Sequence, residues 1–204
     1  RRARLAAVGA AVVDQAVLAH VEVAGTGSAL PVDPAVVHQR DRLDVTLLTR
    51  PHAGPAAARN AGAARARGEL LAFTDDDCRP APTWLRRLAE RFAASPDRAF
   101  GGRTINALSD NPYSSTAQLI IDVGYAHNNP DPDAARFFTT NNLAVPADGF
   151  RSIGGFDPAF FTSEDRDLCD RWVWHGLRMS YVPDAVVHHA HPLDFAGFWR
   201  RQFC

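Results

Sequence analysis

Apolar and polar positions alternate along the chain in two rhythms. In the opening stretch, RRARLAAVGAAVVDQAVLAH, Leu5, Val8, Val12 and Val13 recur at helical spacing, which predicts a helix. HVEVAGTGSALP then reads as a short strand running into a Gly/Ser-rich turn, and RLDVTLLTR as a second, β-branched strand. Alanine fills most of GPAAARNAGAARARGE, with Pro55 near its start and Gly68 near its end, so a helix of strong intrinsic propensity follows. ELLAFTD is short, continuously apolar and bounded by polar residues, the pattern of a buried strand, and it completes a strand–helix–strand unit.

Further along, TWLRRLAERFAAS places Trp84, Leu85, Leu88 and Phe92 on one helical face, with Thr83 as the expected N-cap. AFGGRTI reads as a strand next to a tight glycine pair. The stretch from Ser109 to Phe138 is rich in Asn, Pro and Asp and reads as an insertion or lid, with a short apolar helix near STAQLIIDVGY. FTTNNLAVPADGFRSIGGFD returns to strand and turn. SEDRDLCDRWVWHG is a helix ended by Gly176, and RMSYVPDAVVHHAHP is a strand closing in a histidine cluster.

Composition narrows the class. The chain has 204 residues, 46% of them hydrophobic, enough for the core of a single α/β domain. Its formal net charge is -1, with 22 basic against 23 acidic side chains, so no broad positive surface awaits a nucleic acid. The 3 cysteines, Cys78, Cys169 and Cys204, are odd in number and far apart, which fits neither a disulfide framework nor a paired CxxC zinc site. A reducing, cytoplasmic setting is the default. No window reaches the roughly 18 apolar residues of a membrane span, so the chain reads as soluble or peripheral. An α/β domain normally opens with a strand, so a first strand is expected to precede the opening helix.

Three clusters carry candidate chemistry. Asp75, Asp76 and Asp77 stand at the carboxyl end of the ELLAFTD strand, where open α/β sheets bind ligands. Like charges about 4 Å apart repel by roughly 1 kcal/mol in water and several times more at lower dielectric, so a hard divalent cation is the simplest compensation. A turn or a helix cap explains the same triplet equally well. Glu164 and Asp165 open a helix, where carboxylates suit the macrodipole; one of them held near a hydroxyl could also act as a general base. In VVHHAHP, alternation sends His189 and His191 to one face and His188 to the other, as a metal ligand set or as a solvated edge.

In this order, the motifs resemble the GT-A glycosyltransferases of the large inverting family two, which use nucleotide-sugar donors. The likeness lies in GPAAARNAGAARARGELLAFTDDDC, NNLAVPADGFRSIGGFD, SEDRDLCDRW and VPDAVVHHAHPLDFAGFWRRQF, and spans about Leu43 to Phe203. It implies an α/β, Rossmann-like GT-A sandwich with a mostly parallel central sheet flanked by helices. A nucleotide-sugar half would cover 1–108 and an acceptor half 109–204, with a continuation expected beyond Cys204. The resemblance also implies roles. Asp77 would bind Mn²⁺ or Mg²⁺, with His189 as the best-matching further ligand and His188 and His191 behind it. Asp75 and Asp76, with Arg59 and Asn60, would border the nucleotide-sugar donor. Asp165 would be the catalytic base, and Glu164 and Asn142 would face the acceptor, a saccharide, a lipid-linked or another hydroxyl. The setting implied is cytoplasmic, at most in peripheral contact with the inner face of the cell membrane.

The chain departs from the family at VAGTGSALPVD, where no aspartate precedes the Gly-Ser pair and Asp33 is the candidate replacement. That departure keeps a rival in view, a relative that binds saccharide or acts as a scaffold without turnover. Intact Asp75, Asp77 and Asp165 favour the enzyme. Cys78 reads as a packed thiol, since one-step displacement calls for no Ser or Cys nucleophile.

Overall fold

In the computed structural model, residues 5–9, 18–19, 48 and 51–203 are described, with backbone only for 5–9, 18–19 and 201–203. The strands expected in HVEVAGTGSALP and RLDVTLLTR, together with Asp33, fall outside the described residues, apart from an irregular Leu48.

The described residues form one seven-stranded sheet in the order β2-β1-β3-β6-β5-β7-β4. Its strands are β1 (Leu5–Gly9), β2 (Leu18–Ala19), β3 (Leu70–Thr74), β4 (Cys78–Pro80), β5 (Arg98–Asn106), β6 (Leu143–Pro146) and β7 (Arg178–His189). Pairing is parallel for β1 with β2 and β3 and for β5 with β7. It is antiparallel where β6 enters between β3 and β5, and where β4 edges β7. β1, β2, β3, β5 and β7 therefore run one way and β6 and β4 the other, a mixed sheet with a parallel majority. Within the opening stretch expected to be a helix, Leu5–Gly9 instead form β1, whose five residues pair with all of β3, while Val12 and Val13 lie outside the described residues. A five-residue apolar run satisfies both periods, and a neighbouring buried strand decides between them.

Both faces of the sheet are covered, which is why ELLAFTD is apolar at every position. Leu70 and Ala72 point to one side, against helix α2 (Trp84–Ala94) through Trp84, Leu85, Leu88 and Phe92. Leu71 and Phe73 point to the other, against helices α1 (Gly54–Arg65), α4 (Ala147–Ser152) and α5 (Glu164–Trp174). α1 buries Gly54, Ala56, Ala58, Gly62 and Ala63, small residues that let it lie close to the sheet. The expected turn after NNLAVP is thus a short helix. Thr83 occupies the N-cap position of α2, but its side chain makes no cap; the helix is entered through a turn in which Trp84 donates to the Ala81 carbonyl. The insertion after Ser109 holds a longer helix than expected, α3 (Pro112–Asn128), capped by Asn111 accepting from the Tyr113 and Ser114 amides. A last helix, α6 (Phe195–Phe203), packs on α3 through Tyr113 and Phe198.

The glycine pair of AFGGRTI lies inside β5 rather than at a turn. There the β5–β7 register slips, with Gly102 opposite Val182 and Arg103 opposite Val186, so Pro183, Asp184 and Ala185 bulge out of the ladder. A Cβ on Gly102 would sit 2.1 Å from the Ala185 carbonyl oxygen, so only glycine allows this approach. Asn142 closes the bulge from the core. Its amide donates to Arg103 O at 3.0 Å and Ala185 O at 2.9 Å, and its carbonyl accepts from the Trp84 indole at 2.8 Å. Asn142→Ala strands all three partners, and leaving buried polar groups unpaired costs ~1–3 kcal/mol each. We expect a loss of about 3 kcal/mol in urea unfolding, as a lower midpoint with an unchanged slope.

Candidate functional site

The acidic triplet is a turn that delivers two strands to one place. The Cys78 amide donates to Asp75 O at 3.2 Å, folding Asp75 to Cys78 into a reverse turn between β3 and β4. Asp76 is exposed at the corner, while Asp75 and Asp77 are half-buried and lean toward different partners.

Asp75 leans toward α1. Arg59 donates to Asp75 Oδ1 at 2.8 Å and to Glu164 Oε1 at 2.5 Å, so one guanidinium joins α1, the end of β3 and the start of α5. Burial opposes the charge on Arg59, and the carboxylates of Asp75 and Glu164 outweigh it, holding its pKa above the usual value. The Arg59 guanidinium also sits 5.8 Å over the Phe156 ring, which packs edge-on against Phe73 of β3. Asn60 anchors the same loop, giving its amide to Phe156 O at 2.7 Å and accepting from Phe156 N at 2.9 Å.

Asp77 leans the other way, toward β7. Its Oδ2 accepts from His189 Nε2 and from His191 Nδ1, each at 3.1 Å, and the two rings stack with centroids 5.4 Å apart. Burial raises the Asp77 pKa, but the hydrogen bonds and charges of the two histidines prevail and bring it to about 2. His188 faces the opposite side of the ladder, paired with Arg79, as alternation requires. The β4–β7 pairing continues past the strands, with the Ala190 amide donating to Asp77 O at 2.8 Å. A carboxylate oxygen with imidazole nitrogens is a donor set suited to a divalent cation, and an ion held at about 2.1 Å by two of its ligands separates them by about 3 Å. Asp77 with His189 fits that set.

Asp165 follows Glu164 on the first turn of α5, behind Ser163, which takes a left-handed backbone with φ 63°. Its Oδ1 accepts from the Arg166 amide at 2.8 Å. Burial and then the Glu164 charge lift its carboxyl above the ordinary range, against the pull of the Arg166 amide and Arg59.

The Arg59 bridge thus joins Asp75 at the end of β3 to Glu164 at the start of α5, with Asp77 two residues along from Asp75 and Asp165 next to Glu164. Two expected site residues stand apart. Asn142 is fully buried, with its side-chain nitrogen committed to the β5–β7 bulge and its side-chain oxygen to the Trp84 indole, so it does not face an acceptor, and Asn60 is a clamp on Phe156 rather than an open donor contact. His191, ranked behind His189 in the sequence, contacts Asp77 just as closely; the i, i+2 spacing carried that signal, but it rests on extended backbone beyond the end of β7.

The family model described as Glycosyl transferase family 2 matches residues 32–155, more than half of the chain. The chain belongs to glycosyl transferase family 2. This family-2 chain is 32% identical over 179 residues to the pre-mycofactocin glycosyltransferase of Mycobacterium tuberculosis (strain CDC 1551 / Oshkosh), covering 84% of itself and 37% of that relative. Among solved structures, the mannosyltransferase PcManGT from Pyrobaculum calidifontis, in complex with GDP-Man and Mn²⁺, shares the fold with a TM-score of 0.69 at 19% identity, over 98% of this chain and 60% of that one. GalNAc-T7 with UDP, GalNAc and Mn²⁺ superposes with a TM-score of 0.67 at 13% identity, over 94% of this chain and 45% of that one. These likenesses place the family-2 chain in the GT-A fold. No helix among the described residues is long and apolar enough to cross a membrane.

The raised carboxyl of Asp165 has a consequence for stability. A group whose pKa rises on folding favours the folded state fully below its unfolded value, near 3.9 for aspartate, and that contribution is lost as pH climbs through the folded value. Asp165→Asn should therefore match the unsubstituted chain at strongly acid pH and exceed it at neutral pH in urea unfolding. A less stable variant at neutral pH would contradict the burial of this charge.

Proposed function

We propose that this family-2 domain is an inverting glycosyltransferase site, moving a sugar from a nucleoside-diphosphate donor to an acceptor hydroxyl with help from a divalent cation. The reading is carried by the Arg59 bridge, which ties Asp75, two residues from Asp77, to Glu164, the neighbour of Asp165. A metal-holding carboxylate and a base with a raised pKa then border the same end of the sheet. The Mn²⁺ and nucleoside diphosphates held by PcManGT and GalNAc-T7 support the same ligand chemistry here.

In this reading Asp165 takes the proton of the acceptor hydroxyl as the acceptor oxygen bonds to the anomeric carbon and the bond from that carbon to the diphosphate oxygen breaks. One displacement inverts the anomeric centre. Asp77 and His189 would hold the cation, which when bound supplies positive charge for the diphosphate. Arg59 fixes the carboxylates around the donor, and burial raises the Asp165 carboxyl above the usual aspartate range, which makes it a stronger proton acceptor. Mn²⁺ suits the imidazole in this donor set better than Mg²⁺, which prefers oxygen alone. A saccharide or lipid-linked hydroxyl is the acceptor class, and peripheral contact with a membrane would bring the latter within reach.

The experiment is a screen of nucleotide-sugars for Mn²⁺-dependent binding and slow hydrolysis by the full chain. Metal-dependent binding with turnover is the expected result, and binding of none of the donors with or without metal would overturn the reading. Asp165→Asn should lower transfer by ~10²–10⁴-fold with donor affinity retained, whereas Asp77→Ala should weaken donor binding only when metal is present. In unsubstituted protein, the acid limb of kcat/KM should fall at a pH above the ordinary aspartate range, because the base must be ionised and its pKa is raised.

A further inference from the structure

Cys78 takes no part in that mechanism, yet the backbone aims it at the same place. In the antiparallel β4–β7 ladder Cys78 stands directly opposite His189. Opposed residues in such a ladder project to one face with Cβ atoms about 4.5–5.5 Å apart. The Asp75–Cys78 turn then brings the Asp77 carboxylate alongside, with Cys78 Sγ 3.7 Å from Asp77 Oδ1. One ligand atom each from Asp77, Cys78 and His189 lies within 4.8 Å of the other two. Strand pairing on one side and a closed turn on the other hold all three, so the cluster does not depend on a flexible loop. The remaining described cysteine, Cys169, is buried elsewhere, with its thiol on Phe138 O at 3.5 Å.

Oxygen, nitrogen and sulfur together are a poor match for Mg²⁺ and a good one for borderline-soft ions, since thiolate and imidazole select zinc and its neighbours. We propose that Cys78 supplies a sulfur donor that makes Asp77, Cys78 and His189 a three-residue centre for a thiophilic divalent cation such as Zn²⁺ or Co²⁺, in competition with Mn²⁺. The inference rests on the reading of Asp77 and His189 as metal holders. On ligation the S–H bond breaks, a sulfur–metal bond forms and the proton passes to solvent. The centre adds a donor that the hard ions do not use, so a thiophilic ion binds more tightly and displaces the ion that serves the donor diphosphate.

The test is a Co²⁺ titration of the metal-free full chain followed by optical absorption, beside Cys78→Ser, a change of one atom. A sulfur-to-cobalt charge-transfer band that disappears in Cys78→Ser is expected. Zn²⁺ affinity of the variant should fall by at least about tenfold, with Mn²⁺ affinity unchanged. X-ray absorption of the unsubstituted chain loaded with Zn²⁺ keeps the proposal testable without any variant. A sulfur scatterer at about 2.3 Å supports it, and a shell of nitrogen and oxygen alone overturns it. Cobalt bound with ligand-field bands but no charge-transfer band would overturn the sulfur role and leave Asp77 and His189 as metal holders. Binding of neither Co²⁺ nor Mn²⁺ would overturn that reading as well.

Discussion

Asp75 at the end of β3 meets Glu164 at the start of α5, and such a meeting of carboxylates is electrostatically unfavourable without a cation. Arg59 provides one. Charges of opposite sign about 4 Å apart attract by roughly 4 kcal/mol at the effective dielectric of a protein surface, so a guanidinium shared by two carboxylates offsets a repulsion of similar size. Its fork geometry lets separate nitrogens serve Asp75 and Glu164, which a lysine ammonium could not reproduce. The position of α1 follows from this constraint. The helix must bring Arg59 to the carboxylates, and its buried glycine and alanine face lets it approach the sheet closely enough to do so.

The two charged centres are built by different means. On the Arg59 side, side-chain hydrogen bonds join distant segments, and Asn60 on Phe156 fixes the loop that precedes α5. On the Asp77 side, backbone pairing does the positioning, because β4 lies along β7 and sets Cys78 and Asp77 beside His189. The β5–β7 bulge belongs to the same construction. Gly102 permits it, and Asn142 satisfies the carbonyls it exposes, so β7 regains its register and reaches the site with His189 opposite Asn106.

A polar side chain can thus serve the site from inside the core. Asn142 and Asn60 sit next to motif residues, but their hydrogen-bonding capacity is spent on backbone groups and, for Asn142, on the Trp84 indole as well. Asp165 has the opposite character, since its carboxyl is half-buried beside Glu164, an unfavourable arrangement for a structural residue and a suitable one for a base. The pair marks a difference between residues that complete the fold and residues the fold leaves partly unsatisfied.

The sequence by itself determined the covered strand β3 and the helices α1, α2 and α5, since an unbroken apolar run, an alanine-rich stretch and apolar residues at helical spacing specify their own conformations. It also determined that His189 and His191 share a face opposite His188, because alternation is a local property of extended backbone. Only the tertiary structure decided that residues 5–9 form a strand and not a helix, as that short run fits either period until β3 lies beside it. Likewise, Asn142 and Asn60 were committed to carbonyls and amides of segments far away in the chain, and Cys78 was set opposite His189 by a strand register that links residues 111 positions apart. Spacing along a chain encodes what neighbouring residues do to one another, whereas partners for a buried polar group are fixed only when distant segments pack and exclude water.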